Sequence, residues 1–341
     1  MKICWFGIYN PDFGRNKIYI NALKKAGHTI VECRDDSRGF IKFFRLWQKH
    51  RLVKDVYDAL VVGYPGHLVV PLAKLISTKL VTADLLGSIY DAEINSHHPS
   101  FWKKIKARAV DFLAIKFADR ILLESEAQKK YFEKRFGRSY KYRVLSTGVD
   151  EIFINTNKKG KKFLVLFRGK LTPESGIIHI LQAAKILREQ PDIGFRIIGF
   201  GYFLEKVEQF IKEQNLFNVE LISRYLPDGE LVEKMSECNL MLGQFESNPR
   251  VSRTIPHKVF EAFAMEIPYL TGSGAAIKEI VKDNINAFIV PLADSTALAK
   301  KVEYLFLHQE LLGRIARQAR IMFDEKFAAD PIARDLIRAM L

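Results

Sequence analysis

Short apolar runs recur along this chain, each followed by a glycine-bearing or polar turn and then by a longer amphipathic stretch. Residues 1–7 (MKICWFG) read as a buried strand. The turn YNPDFG follows, then a helix over 15–26 with Ile18, Ile20 and Leu23 inward and Gly27 as its stop; 28–32 is the next strand. Strand, glycine turn, helix and strand in that order make a unit of the doubly wound kind. The turn lacks G-x-G-x-x-G, which weakens a dinucleotide-dehydrogenase reading. Further strands are expected at 59–62, 80–82 and 120–124, with a helix over 126–136. A turn over 146–150 comes next, and the polar stretch 155–162 (NTNKKGKK) reads as a linker. Beyond it the alternation restarts, with strands at 163–167, 195–198 and 219–222, a helix opened by Ser175 and Gly176, and another over 204–214. The pattern predicts an α/β chain of two doubly wound, Rossmann-like domains.

The second half is organised around residues 239–274 (NLMLGQFESNPRVSRTIPHKVFEAFAMEIPYLTGSG): a buried strand, a polar loop, a helix, a second apolar run and a glycine turn. Pro256 suits the first helical position, where a missing N–H costs nothing. The N–H groups of His257, Lys258, Val259 and Phe260 would then stand unpaired as an anion site, with Lys258 adding a fixed charge. Glu261 lies one turn on, on nearly the same face. A carboxylate that grips a vicinal diol beside amides that hold phosphate suits a nucleoside diphosphate. An ordinary buried helix with a solvated lysine fits the same residues.

Composition adds three points. Three scattered cysteines, Cys4, Cys33 and Cys238, fit a reducing compartment and no metal-like spacing. No apolar run approaches about 20 residues, so no membrane span is expected, and the opening strand does not read as a signal peptide. The net charge of +14 is uneven: residues 1–150 carry 27 Lys and Arg against 15 Asp and Glu, a net of +12. A polyanion met by one domain is the implied partner. Two aromatic and basic segments, 40–54 (FIKFFRLWQKHRLVK) and 101–108 (FWKKIKAR), lie in that half. They fit an anionic membrane surface, nucleic acid, or helices whose aromatics are core. No nucleic-acid motif supports the second of these. Asp84, Ser88, Tyr90 and Asp91 follow an apolar run, at the strand end where ligands sit in such folds; helix caps and turns account for them equally well.

Five segments in order resemble one family. These are TGVD (147–150), FRGKLTPESG (167–176), IIGFGY (197–202), IPHKVFEAFAMEIPYLTG (255–272) and the closing KEIVKDNINAFIVPLADSTALAKKV (278–302). Together they resemble the family-4, or group 1, retaining glycosyltransferases over nearly the full length, and Asp84, Ser88, Tyr90 and Asp91 match a subgroup pattern D-x-x-x-S-x-Y-D. The resemblance implies a GT-B fold, two Rossmann-like domains facing across a cleft. An acceptor- and membrane-facing domain is expected over 1–154, a nucleotide-sugar domain over 155–315, and a helical segment over 316–341 that returns to the first. It implies transfer of a sugar from a nucleoside-diphosphate donor to an acceptor hydroxyl, such as a lipid-linked glycan, with retention and without a tightly bound cofactor or metal. The enzyme would be cytoplasmic, peripheral on the inner face of the membrane.

The same resemblance assigns roles. Lys170 stands where the family has the arginine that holds the diphosphate, with Arg168 and Gly169 beside it, and Gly199 in the glycine turn near the base. Lys258 and Glu261 fall on the nucleotide helix, Glu261 at the ribose. Gly14 and Arg15 would approach the diphosphate from the first domain. Asp84, Lys170 and Arg253 are the catalytic candidates. Two positions depart from the pattern: Ser175 replaces a lysine, and Arg253 replaces the first glutamate of the Glu-x7-Glu motif. Arg168, Arg253 or Lys258 could restore the charge, or Arg253 could read an acidic sugar. A binding-only relative and a sugar-nucleotide epimerase are the other readings that these departures leave open.

Overall fold

The computed structural model describes residues 1–96, 100–156 and 158–341; Asn157 of the expected linker lies outside them. The chain forms two compact units, residues 1–150 with 327–341, and residues 151–326. In the first, the order is β1 (Lys2–Gly7), α1 (Gly14–Lys25), β2 (Thr29–Arg34), α2 (Ile41–Val53), β3 (Ala59–Val62), α3 (Val70–Ile76), β4 (Val81–Leu86), α4 (Ile89–Ser96), α5 (Phe101–Phe117), β5 (Arg120–Leu123), α6 (Glu126–Phe136) and β6 (Tyr142–Val144). The second holds β7 (Phe163–Arg168), α7 (Ile177–Ile186), β8 (Ile193–Ile198), α8 (Leu204–Glu213), β9 (Val219–Ile222), α9 (Asp228–Ser236), β10 (Leu240–Leu242), α10 (Pro249–Ser252), α11 (Lys258–Ala264), β11 (Tyr269–Gly272), β12 (Phe288–Val290), α12 (Ser295–Leu307) and α13 (Glu310–Lys326). The last helix, α14 (Ala329–Met340), belongs to the first unit, where it packs on α1.

Both sheets are six-stranded and parallel, in the orders β2-β1-β3-β4-β5-β6 and β12-β11-β10-β7-β8-β9. Parallel strands covered on both faces lose the in-out alternation and read as apolar runs, as ALVV and LML do here. In the second sheet the order reverses direction between β7 and β10, so that sheet's ligand crevice falls at their carboxyl ends. In the first, α1 and α14 pack on one face around Trp5, Tyr19 and Leu336, while α2, α3 and α5 pack on the other around Phe6, Leu46 and Ala114. The expected inward residues of α1, Ile18, Ile20 and Leu23, are all buried.

The structure sharpens or revises the sequence reading in several places. The strand expected at 80–82 continues to Leu86, so Asp84 lies inside β4 and pairs in register with Leu122. Of the aromatics at α2 only Phe43 packs on the core: Phe40, just ahead of the helix, is 89% exposed and Phe44 52%, because Leu46 and His50 are the buried stripe. The polar loop before α11 contains α10, whose N-cap Asn248 accepts from the Arg250 N–H at 2.8 Å. The unit boundary falls ahead of the polar stretch. Asn155 already donates to the Met265 carbonyl at 2.7 Å, and the Thr156 N–H donates to Ser236 Oγ at 3.0 Å.

Candidate functional site

At the reversal point of the second sheet, β7 ends in Arg168 and turns at Gly169. The Gly169 N–H donates to the Ile198 carbonyl at 2.9 Å, and its φ of +154° favours glycine. A Cβ there would stand 3.0 Å from Lys258 Nζ, so the missing side chain is what lets the ammonium lie against the turn. Gly199, at the end of β8, serves the same approach from the other side: a Cβ would come within 2.0 Å of the Gly169 carbonyl oxygen. Gly176, at φ +71°, lets the start of α7 close onto the backbone of Phe245 and Glu246 after β10.

Lys258 is buried, with Nζ 4.3 Å from the centre of the Phe167 ring. Burial pulls its pKa down to about 8; Glu261 pulls the other way and Arg168 adds to the fall. Glu261 is 2% exposed. Its Oε1 takes a hydrogen bond from Arg168 Nη1 and lies 3.9 Å from His257 Nδ1. Its Oε2 is shut away from solvent with no hydrogen-bond partner among the described residues. An unpaired buried carboxylate oxygen is costly, and so is a buried ammonium whose partner is shared with a second cation. Both costs fall if a ligand brings a hydroxyl to Oε2 and negative charge to Lys258. A sugar hydroxyl joined to a phosphate meets both demands.

The structure therefore brings Arg168, Gly169, Gly199, Lys258 and Glu261 together. The amide cradle expected at the helix tip is only partly there. The Val259 and Phe260 N–H groups donate to the Pro256 and His257 carbonyls at 3.0 Å each, and α11 starts at Lys258, after His257, not at Pro256. A tight turn has consumed two of the four donors. Lys170 is exposed on the loop after β7. Ser175 is buried and spent locally: its hydroxyl donates to the Thr172 carbonyl at 2.6 Å and accepts from the Ile177 N–H at 3.3 Å. Arg253 closes α10, half-buried, its N–H on the Arg250 carbonyl at 3.0 Å.

In the first unit the expected ligand groups are engaged with one another. Arg15 and Asp84 are 1% and 0% exposed, and Arg15 Nε donates to both Asp84 oxygens at 2.8 and 3.0 Å. Arg15 Nη1 donates to the Leu145 carbonyl at 3.1 Å and to Thr147 Oγ1 at 2.8 Å. The pair thus ties α1, β4 and the turn after β6 together, and the expectation that Asp84 follows the strand at its carboxyl end is corrected: a carboxylate is stable inside β4 because a guanidinium neutralises it. Gly14, at the start of α1, is half-buried. Ser88, Tyr90 and Asp91 form the start of α4 around Asp111. The Ser88 hydroxyl donates to Asp111 Oδ2 at 2.6 Å, the Tyr90 N–H donates to the same oxygen at 3.1 Å, and the Asp91 N–H donates to Ser88 Oγ at 3.0 Å.

His67 and Asp111 escaped the sequence reading. His67 is buried, with Nε2 3.0 Å from the Gly87 carbonyl and 3.9 Å from Asp111 Oδ1, and Nδ1 is buried without a hydrogen-bond partner among the described residues. Burial lowers its pKa, which favours the neutral ring that donates from Nε2. The one available signal was a histidine directly after the Pro65-Gly66 step that follows β3.

Comparison with known proteins adds the following. The family model described as "Glycosyl transferases group 1" matches residues 148–322. An uncharacterised glycosyltransferase of Methanocaldococcus jannaschii is 26% identical over 66% of this chain and 60% of its own length. A Campylobacter jejuni α-1,4-N-acetyl-D-galactosaminyltransferase, named for a diphospho-undecaprenol-linked acceptor, is 26% identical over 65% of this chain and 58% of its own. The chain thus spans about three-fifths of the length of these relatives. The solved structure of Anabaena HepE with UDP-glucose has a TM-score of 0.78 over 99% of this chain and 98% of that one, at 17% identity, a likeness of GT-B fold.

Proposed function

The chain belongs to the group 1 glycosyl transferases, and from that premise we propose that it moves a sugar from a nucleoside-diphosphate donor to an acceptor hydroxyl. The observation that carries this reading is the buried Glu261 with one oxygen unpartnered, beside the partly compensated Lys258. Glu261 Oε2 accepts from a ribose hydroxyl, and Lys258, with Arg168 and the exposed Lys170 near it, meets the diphosphate. In the transfer the bond from the anomeric carbon to the diphosphate oxygen breaks, the acceptor oxygen bonds to that carbon, and its proton leaves. Negative charge grows on the departing diphosphate, and fixed cations in a dry site stabilise it. The configuration is retained, as the motif resemblance implies. The acceptor is a lipid-linked or other envelope glycan, a reading supported by the printed name of the Campylobacter relative. We assign the reaction to the cytoplasm, at the inner face of the membrane.

A melting-shift screen over nucleoside-diphosphate sugars tests this, UDP-sugars first and with hexuronic acid donors included to probe Arg253. Saturating donor should stabilise the fold by about 3 kcal/mol at a hundredfold excess over Kd, and release of nucleoside diphosphate should follow on adding a polyprenyl-diphosphate glycan. Absence of stabilisation by every donor would overturn the reading, and stabilisation without turnover would leave a binding-only relative.

A further inference from the structure

The excess positive charge of the first 150 residues is not used by the groups described above. Much of it sits on α2 and α5, on the same face of the first sheet with α3 between them. Across these two helices the one acidic residue is Asp111, which is buried and taken up by the start of α4. The cations are therefore uncompensated within their own helices.

Apolar side chains stand among them. α5 rests on the unit through Ala107, Asp111 and Ala114, a narrow stripe of small residues plus the one acid. Its first six residues are all exposed, with Phe101 at 70% and Trp102 at 76%. α2 shows Phe44 and Trp47 outward, with Phe40 exposed just ahead of it and the Arg51 guanidinium 5.0 Å from the Trp47 ring. Both helices run back against parallel strands, so both start at the carboxyl end of the sheet. The exposed rings of Phe40, Phe44, Phe101 and Trp102 thus gather at that one end. Asp35, which takes Lys49 at 2.8 Å, and the exposed Asp36 lie just ahead of α2, and the remaining cations of the two helices outnumber them. Large exposed rings among cations in such excess are the composition of an interfacial anchor. An anionic bilayer offers both complements at once, an apolar boundary for the rings and negative headgroups for the lysines. A protein partner would need both in one matching patch.

We propose that this face of the first unit, α2 and the first turns of α5, docks on an anionic lipid bilayer. It would hold the carboxyl end of the first sheet against the membrane, where a lipid-linked acceptor presents its glycan. The purpose, though not the observation, rests on the acceptor reading above.

The test is flotation of the full chain with vesicles of phosphatidylglycerol and phosphatidylcholine, against phosphatidylcholine alone. Binding to the anionic vesicles should be stronger by about tenfold or more, should weaken with salt, and should shift Trp102 emission to shorter wavelength. Because the residues are exposed, Phe101→Ser with Trp102→Ser, and separately Lys103→Gln with Lys104→Gln, should fold normally. Each pair should weaken vesicle binding by about tenfold, with the nucleotide-induced melting shift unchanged. Failure of vesicle binding with that shift intact sinks the docking face alone. Variants that float like the parent overturn the proposal. So does a dimer in sedimentation that Trp102→Ser dissociates, which would make the surface a contact between copies. Tighter binding of the same face to RNA than to vesicles overturns it too.

Discussion

Replacing Lys258 by methionine should make the protein more stable and less able to bind its donor. The side chain is buried, and its pKa falls from the ordinary 10.5 to about 8, chiefly because burial penalises the charge. At about 1.4 kcal/mol per pH unit, that gap is a cost of about 3 kcal/mol to folding at neutral pH. Methionine keeps the length and the apolar contact with Phe167, and Glu261 keeps its hydrogen bond from Arg168. That cost is already net of the attraction to Glu261; imperfect packing of the new side chain takes back part of the gain, so the expected stabilisation is about 1–3 kcal/mol.

The pH dependence carries a sign. The folded chain releases this proton near pH 8, and the unfolded chain releases it near 10.5. Unfolding therefore takes up a proton between those values, and stability from this residue rises with pH from about 8 to 10.5. Urea unfolding of both proteins at pH 7 and pH 9.5 reads the difference, which should narrow at the higher pH. Nucleoside-diphosphate affinity should drop by about 10- to 100-fold in the variant, the worth of a charged hydrogen bond. In the parent it should decline above about pH 8. A Lys258→Met protein that is less stable at neutral pH and binds nucleotide as the parent does would refute the reasoning.

Glu261→Gln keeps the shape but loses the charge that pairs with Arg168 and offsets Lys258, so titration calorimetry should show donor binding weakened by about 10- to 100-fold and melting should fall. Arg15→Met should cost about 3–5 kcal/mol in urea unfolding by stranding Asp84, and adding Asp84→Leu should recover much of it; additive losses would mean the two are not one unit. Gly199→Ala pushes a methyl into the Gly169 carbonyl, 2.0 Å away as built, and should lower stability by about 1–3 kcal/mol while also weakening nucleotide binding, since Gly169 shapes the seat of Lys258. Unchanged nucleotide affinity in that variant would separate the glycine turn from the site.

Most strands and helices were legible because parallel strands covered on both faces leave short apolar runs with punctuated ends. The grouping of Arg168, Lys258 and Glu261 was legible too, from the helix spacing of the last two and from the motif that ends β7. What could not be read depends on partners remote in the chain. Asp84 looks like a strand end until Arg15, 69 residues away, is seen to neutralise it inside β4. The start of α11 depends on whether Val259 and Phe260 turn back on Pro256 and His257, a choice of backbone angles that residue types leave open. The two helices rich in Phe and Trp fitted a membrane surface, nucleic acid or core aromatics equally by pattern, and it took the packing to show that most of the rings point outward. His67 and Asp111 meet only because the short turn His67–Val69 after β3 packs against α5.

The central claim is that Glu261 Oε2 and Lys258 Nζ receive the nucleoside and the diphosphate of one donor. A crystal structure of the complex with UDP, or with whichever nucleoside diphosphate gives the largest melting shift, tests it most directly. It should show a ribose hydroxyl within about 3 Å of Glu261 Oε2 and phosphate oxygen at Lys258 Nζ. A nucleotide bound elsewhere, with that carboxylate oxygen still unpartnered, would contradict it.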